Sequence, residues 1–271
     1  MNDMIKNVEI DRGQNKAIVN ISGFLSLEID GNGEYIIKTL DGIKIKITDT
    51  TILKETFLYD IHFITLDMSN YIVLDIGAFV GDTALYYASK GATVVSVEPV
   101  PENYNMLLKN VELNPQLKDK IIPINAAVAY KDEGFVKICY NSPLGTGGAT
   151  IFKEDTICTN VKALSLKDLI NLIKEKGINI DEYKYRVLKL DCKGCEWDII
   201  NKDYDTLSKF EIVKIEYSGY LHNFKLSDIK NKLEELGYDC RVYAHNELPL
   251  KMGFDIHGTI TAYKKGIKIE C

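Results

Sequence analysis

At 271 residues the chain is long enough for one large α/β domain, or for one domain and a small appendage, and its 46% hydrophobic and 27% charged content is that of an ordinary soluble globular protein. A net charge of −6 argues against a broad nucleic-acid footprint, though not against a local basic groove, and makes a small-molecule or protein-bound substrate the better default. No segment resembles a signal peptide and no run approaches the about 18 apolar residues of a membrane span, so the expected site of action is the cytoplasm, away from membranes.

Residues 5–48 alternate apolar and polar positions (Val8–Ile10, Ala17–Ile21, Tyr35–Lys38, Ile43–Ile47) between turn signals at Asp11–Gly13, Asp30–Gly33 and Asp41–Gly42. This predicts a small antiparallel β layer, an N-terminal β-rich segment of residues 1–50 ahead of a main domain of residues 51–271. Such a layer cannot readily bury two faces alone, so it is expected to pack on the main domain or on a second copy of the chain, as in a homodimer. Residues 51–68 read as a helix. From residue 71 strand and helix alternate: strands are predicted at 71–77, 93–98, 121–128, 186–192, 210–217, 238–244 and 254–264, and helices at 82–90, 101–113, 165–176, 196–202 and 226–236. An extra strand is expected at 135–140, before a flexible Gly145–Gly148 segment. The last two strands have no helix between them, which predicts an antiparallel hairpin closing one edge of a seven-stranded α/β sheet.

The richest stretch is Asp75-Ile76-Gly77-Ala78-Phe79-Val80-Gly81-Asp82-Thr83. Residues 71–76 (YIVLDI) have the apolar, β-branched character of a buried parallel strand. Gly77 and Gly81 then let the backbone turn and approach a ligand with no Cβ in the way, and Asp82-Thr83 open a helix. The next strand delivers Glu98 about 20 residues after the glycine turn, the spacing at which an acid reaches ribose hydroxyls in doubly wound folds. A dinucleotide site usually shows GxGxxG, so that a pyrophosphate rests on the helix N-terminus. Here an acid, Asp82, occupies that start. It would repel a pyrophosphate and suits the cationic amino-acid end of S-adenosylmethionine, which carries a sulfonium and an ammonium and no phosphate. Asp82 can equally be the cap of its helix, or serve as both.

Four segments extend this reading: Ile52–Tyr59; Val73–Thr83 with Val97-Glu98-Pro99 and the Asn-rich helix Asn103–Asn110; Asn125-Ala126-Ala127-Val128; and Val187-Leu188-Lys189-Leu190-Asp191-Cys192-Lys193-Gly194-Cys195-Glu196. Over residues 52–218 the chain resembles the FkbM family of S-adenosylmethionine-dependent methyltransferases, the last segment being similar to that family's Lys-hydrophobic-Asp-x-Glu-Gly-x-Glu signature. The resemblance implies a seven-stranded class I (Rossmann-like) sheet and S-adenosylmethionine as cofactor. Asp75, Gly77, Gly81, Asp82 and Thr83 would then hold its methionine end and Glu98 its ribose, with Ala78 and Phe79 also cofactor-binding, while Pro99, Val100, Asn125, Ala126 and Ala127 flank the adenine. No metal is required, because the methyl group is already activated by its positive sulfur. The implied activity is O-methylation of a small-molecule or glycan hydroxyl. A tRNA methyltransferase, or an S-adenosylmethionine-binding module without catalysis, shares the same cofactor loop.

Asp191 and Glu196 match acidic positions of the signature and are expected on the acceptor side of the crevice, where an Asp can orient the substrate or take its hydroxyl proton. The structural alternative is that Asp191 closes the strand and Glu196 caps the following helix. Glu216, at the end of the fifth strand, is a weaker candidate of the same kind. Lys193 stands where the family usually has a glutamate; projecting over the entrance, it would select an anionic or polar group of the substrate. His222, after the fifth strand, is a candidate base, whereas His62, His245 and His257 read as structural. Trp197, Tyr86, Tyr87, Tyr217 and Tyr220 can line a pocket, with core packing the safer expectation. Among the six cysteines only Cys192 and Cys195 are closely spaced. No further ligands complete a zinc site there, which leaves a reversible disulfide or two ordinary thiols.

Overall fold

The computed structural model describes residues 5–13, 16–21, 25–30, 35–47, 53–130, 134–142, 149–150, 155–219, 224–243, 253 and 255–269. The Gly145–Gly148 segment, Tyr220, His222, His245 and Gly31–Gly33 of the second predicted turn lie outside the described residues.

Five antiparallel strands, β1 (Ile5–Asp11), β2 (Lys16–Ile21), β3 (Leu25–Asp30), β4 (Tyr35–Thr39) and β5 (Lys44–Ile47), form an N-terminal sheet in the order 1-2-3-4-5. The chain then runs through β6 (Tyr71–Ile76), α1 (Asp82–Ser89), β7 (Thr93–Val97), α2 (Pro101–Glu112), β8 (Ile121–Ile124), β9 (Ala127–Val128), β10 (Phe135–Tyr140), β11 (Ile157–Leu164) and α3 (Leu166–Glu175). It finishes with β12 (Tyr185–Leu190), α4 (Cys195–Lys202), α5 (Tyr204–Leu207), β13 (Ile212–Ser218), α6 (Leu226–Glu235), β14 (Tyr238–Tyr243) and β15 (His257–Lys264). The main sheet has the order β14-β15-β13-β12-β6-β7-β8, parallel from β13 to β8, with β15 antiparallel to both its neighbours. The terminal hairpin predicted from the absence of an intervening helix is this β14–β15 pair.

In-register pairing explains why one face of the main sheet becomes a site. On the far face Ile72, Leu74, Ile76, Val95, Leu188, Leu190, Val213 and Ile215 are buried apolar core. On the near face an apolar row, Val94, Val73, Val187 and Ile212, joins the core beneath α1. Two residues further along every strand the row is polar: Ser96, Asp75, Lys189, Lys214, Thr261 and Arg241 stand side by side across six strands. Because strand side chains alternate with period two, this row sits over the carboxyl half of the sheet. Buried polar groups there must be paired or serve a ligand.

The N-terminal sheet packs on this domain through Leu25, Leu27, Ile37, Ile43, Ile45 and Ile47, which share a core with Tyr71, Val73 and α1. Its edge strand β5 is closed by two asparagines, Asn110 of α2 and Asn114 just beyond its end. Asn110 accepts from the Lys46 N–H (2.8 Å) and donates to the Lys46 carbonyl (3.0 Å), and Asn114 does the same at Lys44 (2.8 and 2.6 Å). Each side-chain amide replaces the backbone of a missing strand, which covers an edge that would otherwise invite pairing.

Three expectations need correction. The helix predicted over 51–68 is a single π-helical turn, Leu53–Leu58, with Tyr59 N–H bonded to the Lys54 carbonyl at 2.8 Å. Beyond it Asp60 adopts φ +49°, and Tyr59 and Leu66 are 62% and 72% exposed, so no continuous apolar stripe exists to hold a helix against the core. The strand predicted over 121–128 breaks into β8 and β9, and β9 leaves the main sheet to pair with β11 in a three-stranded sheet, β10-β11-β9. Strand β11 itself was not anticipated.

Candidate active site

The cofactor loop is shaped by two close approaches. Gly77 has φ +83°, and a Cβ there would lie 2.1 Å from the Asp191 carbonyl oxygen, so no larger residue fits without moving β12 away from β6. Gly81 has φ +86° and faces Leu107 of α2, whose Cγ would be 3.0 Å from an added Cβ. The N–H groups of Gly77 and Ala78 bond the Val97 carbonyl (2.9 and 3.1 Å), tying the loop to the end of β7.

Glu98 is the hub. Its carboxylate accepts from the Phe79 N–H (2.9 Å), the Val100 N–H (3.0 Å) and Asn103 Nδ2 (3.2 Å) while only 4% exposed. Burial pushes the carboxyl up to about 7, against the lowering effect of these donors and of Lys189. Phe79 takes a left-handed φ of +47° to present its N–H. Asn125 reaches back to the Glu98 and Pro99 carbonyls (2.8 and 3.2 Å), and Val100 packs with Ala127 beneath the β10–β11 hairpin, with Ala126 fully buried nearby. The structure thus gathers Phe79, Glu98, Pro99, Val100, Asn125, Ala126 and Ala127 at one end of the sheet, beside β7 and β8.

Asp75, Asp82 and Thr83 lie deeper. Asp75 is fully buried, hydrogen-bonded by the Thr83 hydroxyl and ion-paired with Lys189 Nζ at 2.9 Å. Lys189 also donates to the Gly77 carbonyl at 3.1 Å, so its ammonium lies directly beneath the loop, and the surrounding acids hold it well above the usual lysine range despite burial. Asp82 accepts from the Thr56 hydroxyl at 2.6 Å, and burial raises its carboxyl. These groups rigidify the turn. Thr56 and Lys189 were assigned no site role in the sequence reading, although both lie in segments that carry the resemblance.

On the acceptor side Asp191 follows β12, with its N–H on the Ile76 carbonyl (3.0 Å), next to the cofactor loop. Lys193 does not project over the entrance as expected. It has φ +50° and turns inward between two carboxylates, 2.7 Å from Asp191 and 2.5 Å from Glu216. Two acids on adjacent strand ends attract a cation more strongly than solvent does, and their fields hold the ammonium well above its ordinary range. Glu196 also departs from the acceptor role expected of it. It is fully buried, and its two oxygens accept from the Cys192 N–H (3.0 Å) and the Gly194 N–H (2.7 Å), binding the 192–194 turn. Cys192 and Cys195 form a disulfide across the same turn, and the Thr150 hydroxyl donates to the Lys193 carbonyl at 3.0 Å.

A second disulfide, Cys139–Cys158, links opposite residues of β10 and β11. Only the strand register brings that pair together, and nothing in its spacing announced it. Tyr86, Tyr87 and Tyr217 are core residues, and Trp197 stacks on Phe224 with ring centroids 5.2 Å apart. His257 is buried with Nδ1 3.1 Å from the Tyr217 carbonyl, and His62 packs edge-on to Tyr86 and Tyr87.

The residues present fit S-adenosylmethionine. An ionised carboxylate offers roughly four acceptor positions, Glu98 uses three on the protein, and a ribose hydroxyl is the natural fourth partner at a strand end of this kind. The glycine cradle suits a ligand that packs closely against the backbone. Together with the seven-stranded sheet these features define a class I S-adenosylmethionine-dependent methyltransferase.

Residues 75–240, more than half of the chain, match the family described as the methyltransferase FkbM domain, and the chain belongs to that family. Among solved structures it is similar to an FkbM methyltransferase from Methylobacillus flagellatus KT (14% identity, TM-score 0.49), over 78% of this chain and 48% of that one. The chain therefore spans about half the length of that protein. It is also similar to Aeropyrum pernix fibrillarin with natively bound S-adenosylmethionine (13% identity, TM-score 0.41, 95% and 98% of the two chains). A third likeness is to the magnesium protoporphyrin IX methyltransferase of Synechocystis PCC 6803 with bound cofactor (9%, TM-score 0.43, 80% and 79%). No curated protein matches the chain in sequence. Among the described residues no helix is long and apolar enough to cross a membrane.

Proposed function

We propose that the chain methylates a hydroxyl oxygen of a small molecule or glycan, the acceptor entering over the ends of β12 and β13. The observation that supports this is the placement of Asp191: its carbonyl lies against Gly77 of the cofactor loop, while its side chain, 29% exposed, is the accessible one of the two signature acids. When bound, S-adenosylmethionine supplies an electrophilic methyl group on a positive sulfur. The chain's own task is then to align an oxygen nucleophile and receive its proton. Asp191 is assigned the proton-accepting or orienting role. Glu196 is assigned to holding the turn, since both its oxygens are committed to N–H groups. Lys193 fixes the Asp191 carboxylate relative to Glu216. In a single-turnover assay, Asp191→Asn should leave cofactor binding largely intact and slow methyl transfer roughly 10²-fold or more. Transfer at the parental rate would reduce Asp191 to a strand-end residue and shift the role to Glu216.

A further inference from the structure

The polar row of the near face continues past the active site into a second cavity. A cleft of about 430 Å³ opens between the 59–63 segment and the strands β13, β15 and β14, a size that suits a small ligand. It meets the narrow crevice containing Lys189, Asp191 and Glu216 at three shared residues, Ile61, Lys214 and Tyr243. The Ile61 carbonyl forms the partition, held by Lys214 Nζ at 2.9 Å and the Tyr243 hydroxyl at 3.2 Å.

The charges in this cleft are not those of the surrounding protein. Lys214 is only 4% exposed, and Arg241 rests over the Tyr263 ring, its guanidinium carbon 5.4 Å from the centroid. Neither cation is ion-paired with a carboxylate among the described residues. The one acid in the lining, Asp60, accepts a hydrogen bond from Tyr86. Two cations against one acid leave the cleft with an excess positive charge in a chain whose net charge is −6. Lys214 Nζ is held by the Ile61 carbonyl, and burial pushes it down to about 8 against the raising field of Asp60, so a bound anion would favour its charged form. The walls are aromatic: Tyr59 and Phe63, 62% and 39% exposed, face the cleft with Tyr263. Aromatic faces with phenolic and threonine hydroxyls alongside form a surface on which a sugar ring stacks and hydrogen-bonds, and the forked guanidinium matches a phosphate or carboxylate.

We propose that this cleft binds the non-reacting part of the methyl acceptor, and that this part is a sugar carrying an anionic group, either phosphate or carboxylate. The inference rests on the acceptor-side reading above. The anion lies between Arg241 and Lys214, the ring lies against the tyrosines, and the reacting hydroxyl reaches past Ile61 toward Asp191.

The test is calorimetric titration of the full chain with glucose, glucose 6-phosphate, glucuronate and inorganic phosphate, each with the parental protein and Arg241→Gln. At least one of the two anionic sugars should bind tenfold or more tightly than both glucose and inorganic phosphate, and the stronger of the two identifies the anion. Arg241→Gln, a change on an exposed side chain, should bring that sugar to the level of glucose while S-adenosylmethionine affinity stays at the parental value. Equal binding of glucose and both anionic sugars, phosphate alone binding as well as the sugars, or an unchanged Arg241→Gln variant would each overturn the proposal. If these sugars fail on a chain that still binds S-adenosylmethionine and transfers methyl groups, this inference falls and the proposed function stands.

Discussion

Replacing Lys193 by Met keeps the length of the side chain and removes the charge that separates Asp191 from Glu216. The ammonium lies 2.7 and 2.5 Å from the two carboxylates, and the three side chains are 18%, 29% and 17% exposed. Each contact has a Coulomb energy on the order of 4 kcal/mol near a protein surface, most of it offset by desolvation. Removing one member of a buried pair typically costs about 3–5 kcal/mol because the other charge is stranded. Partial exposure puts the expected loss below that range, about 2–3 kcal/mol at pH 7. Urea denaturation of the full chain should show a lower midpoint with an unchanged slope. Adding Glu216→Gln should recover part of the loss, because a single carboxylate is then left to be solvated. A Lys193→Met variant within about 0.5 kcal/mol of the parent would refute the inward placement, since that is the range of ordinary surface substitutions, and would return Lys193 to the entrance.

Two further outcomes follow from the buried acids and the cysteines. Glu98 and Glu196 have carboxyls pushed from the usual 4.5 up to about 7 by burial, so between those values the folded chain holds protons that the unfolded chain releases. Their contribution is complete below pH 4.5 and is lost as pH rises through about 7, on the order of 3 kcal/mol for each group. Glu196→Gln should therefore flatten the fall in urea-derived stability between pH 5 and 8, and an unaltered slope would contradict the assignment. Peptide mapping of the unreduced protein should recover Cys139 linked to Cys158 and Cys192 linked to Cys195, with Cys240 open to alkylation after unfolding. Recovery of all five as thiols would contradict both bonds. Disulfides persist in oxidising surroundings, so the same mapping on protein taken directly from its cells bears on the expectation of a cytoplasmic location.

The central strands, the glycine loop and the helices on both faces were legible because each depends on local pattern: YIVLDI is apolar throughout, and the glycines after it mark a turn. Features set by register were not legible. Cys139 and Cys158 meet only because β10 and β11 pair in one register, and the row from Ser96 to Arg241 exists only once six strands are aligned. Strand β11 escaped because polar Thr159, Asn160 and Lys162 interrupt its sequence, ICTNVKAL, and its exposed positions alternate with more buried ones. The 51–68 segment misled in the opposite sense: it read as a helix, but the Thr56 hydroxyl and the Ile61 carbonyl are used to hold Asp82 and Lys214. Lys193 was recognised as a departure from the family signature, yet its direction depended on Glu216, which lies on another strand.

The cofactor site is tested most directly by calorimetric titration of S-adenosylmethionine into the parent and into Glu98→Ala and Glu98→Gln. A bond between the buried Glu98 carboxylate and the ribose predicts a loss on the order of 2–4 kcal/mol in the alanine variant. That corresponds to roughly 30- to 1,000-fold weaker binding. Glu98→Gln, which keeps an oxygen for the Val100 N–H and Asn103 and loses the acceptor of the Phe79 N–H, should retain the fold by circular dichroism and still bind more weakly than the parent. Parental affinity in both folded variants would contradict the assignment of Glu98 and of the loop it organises.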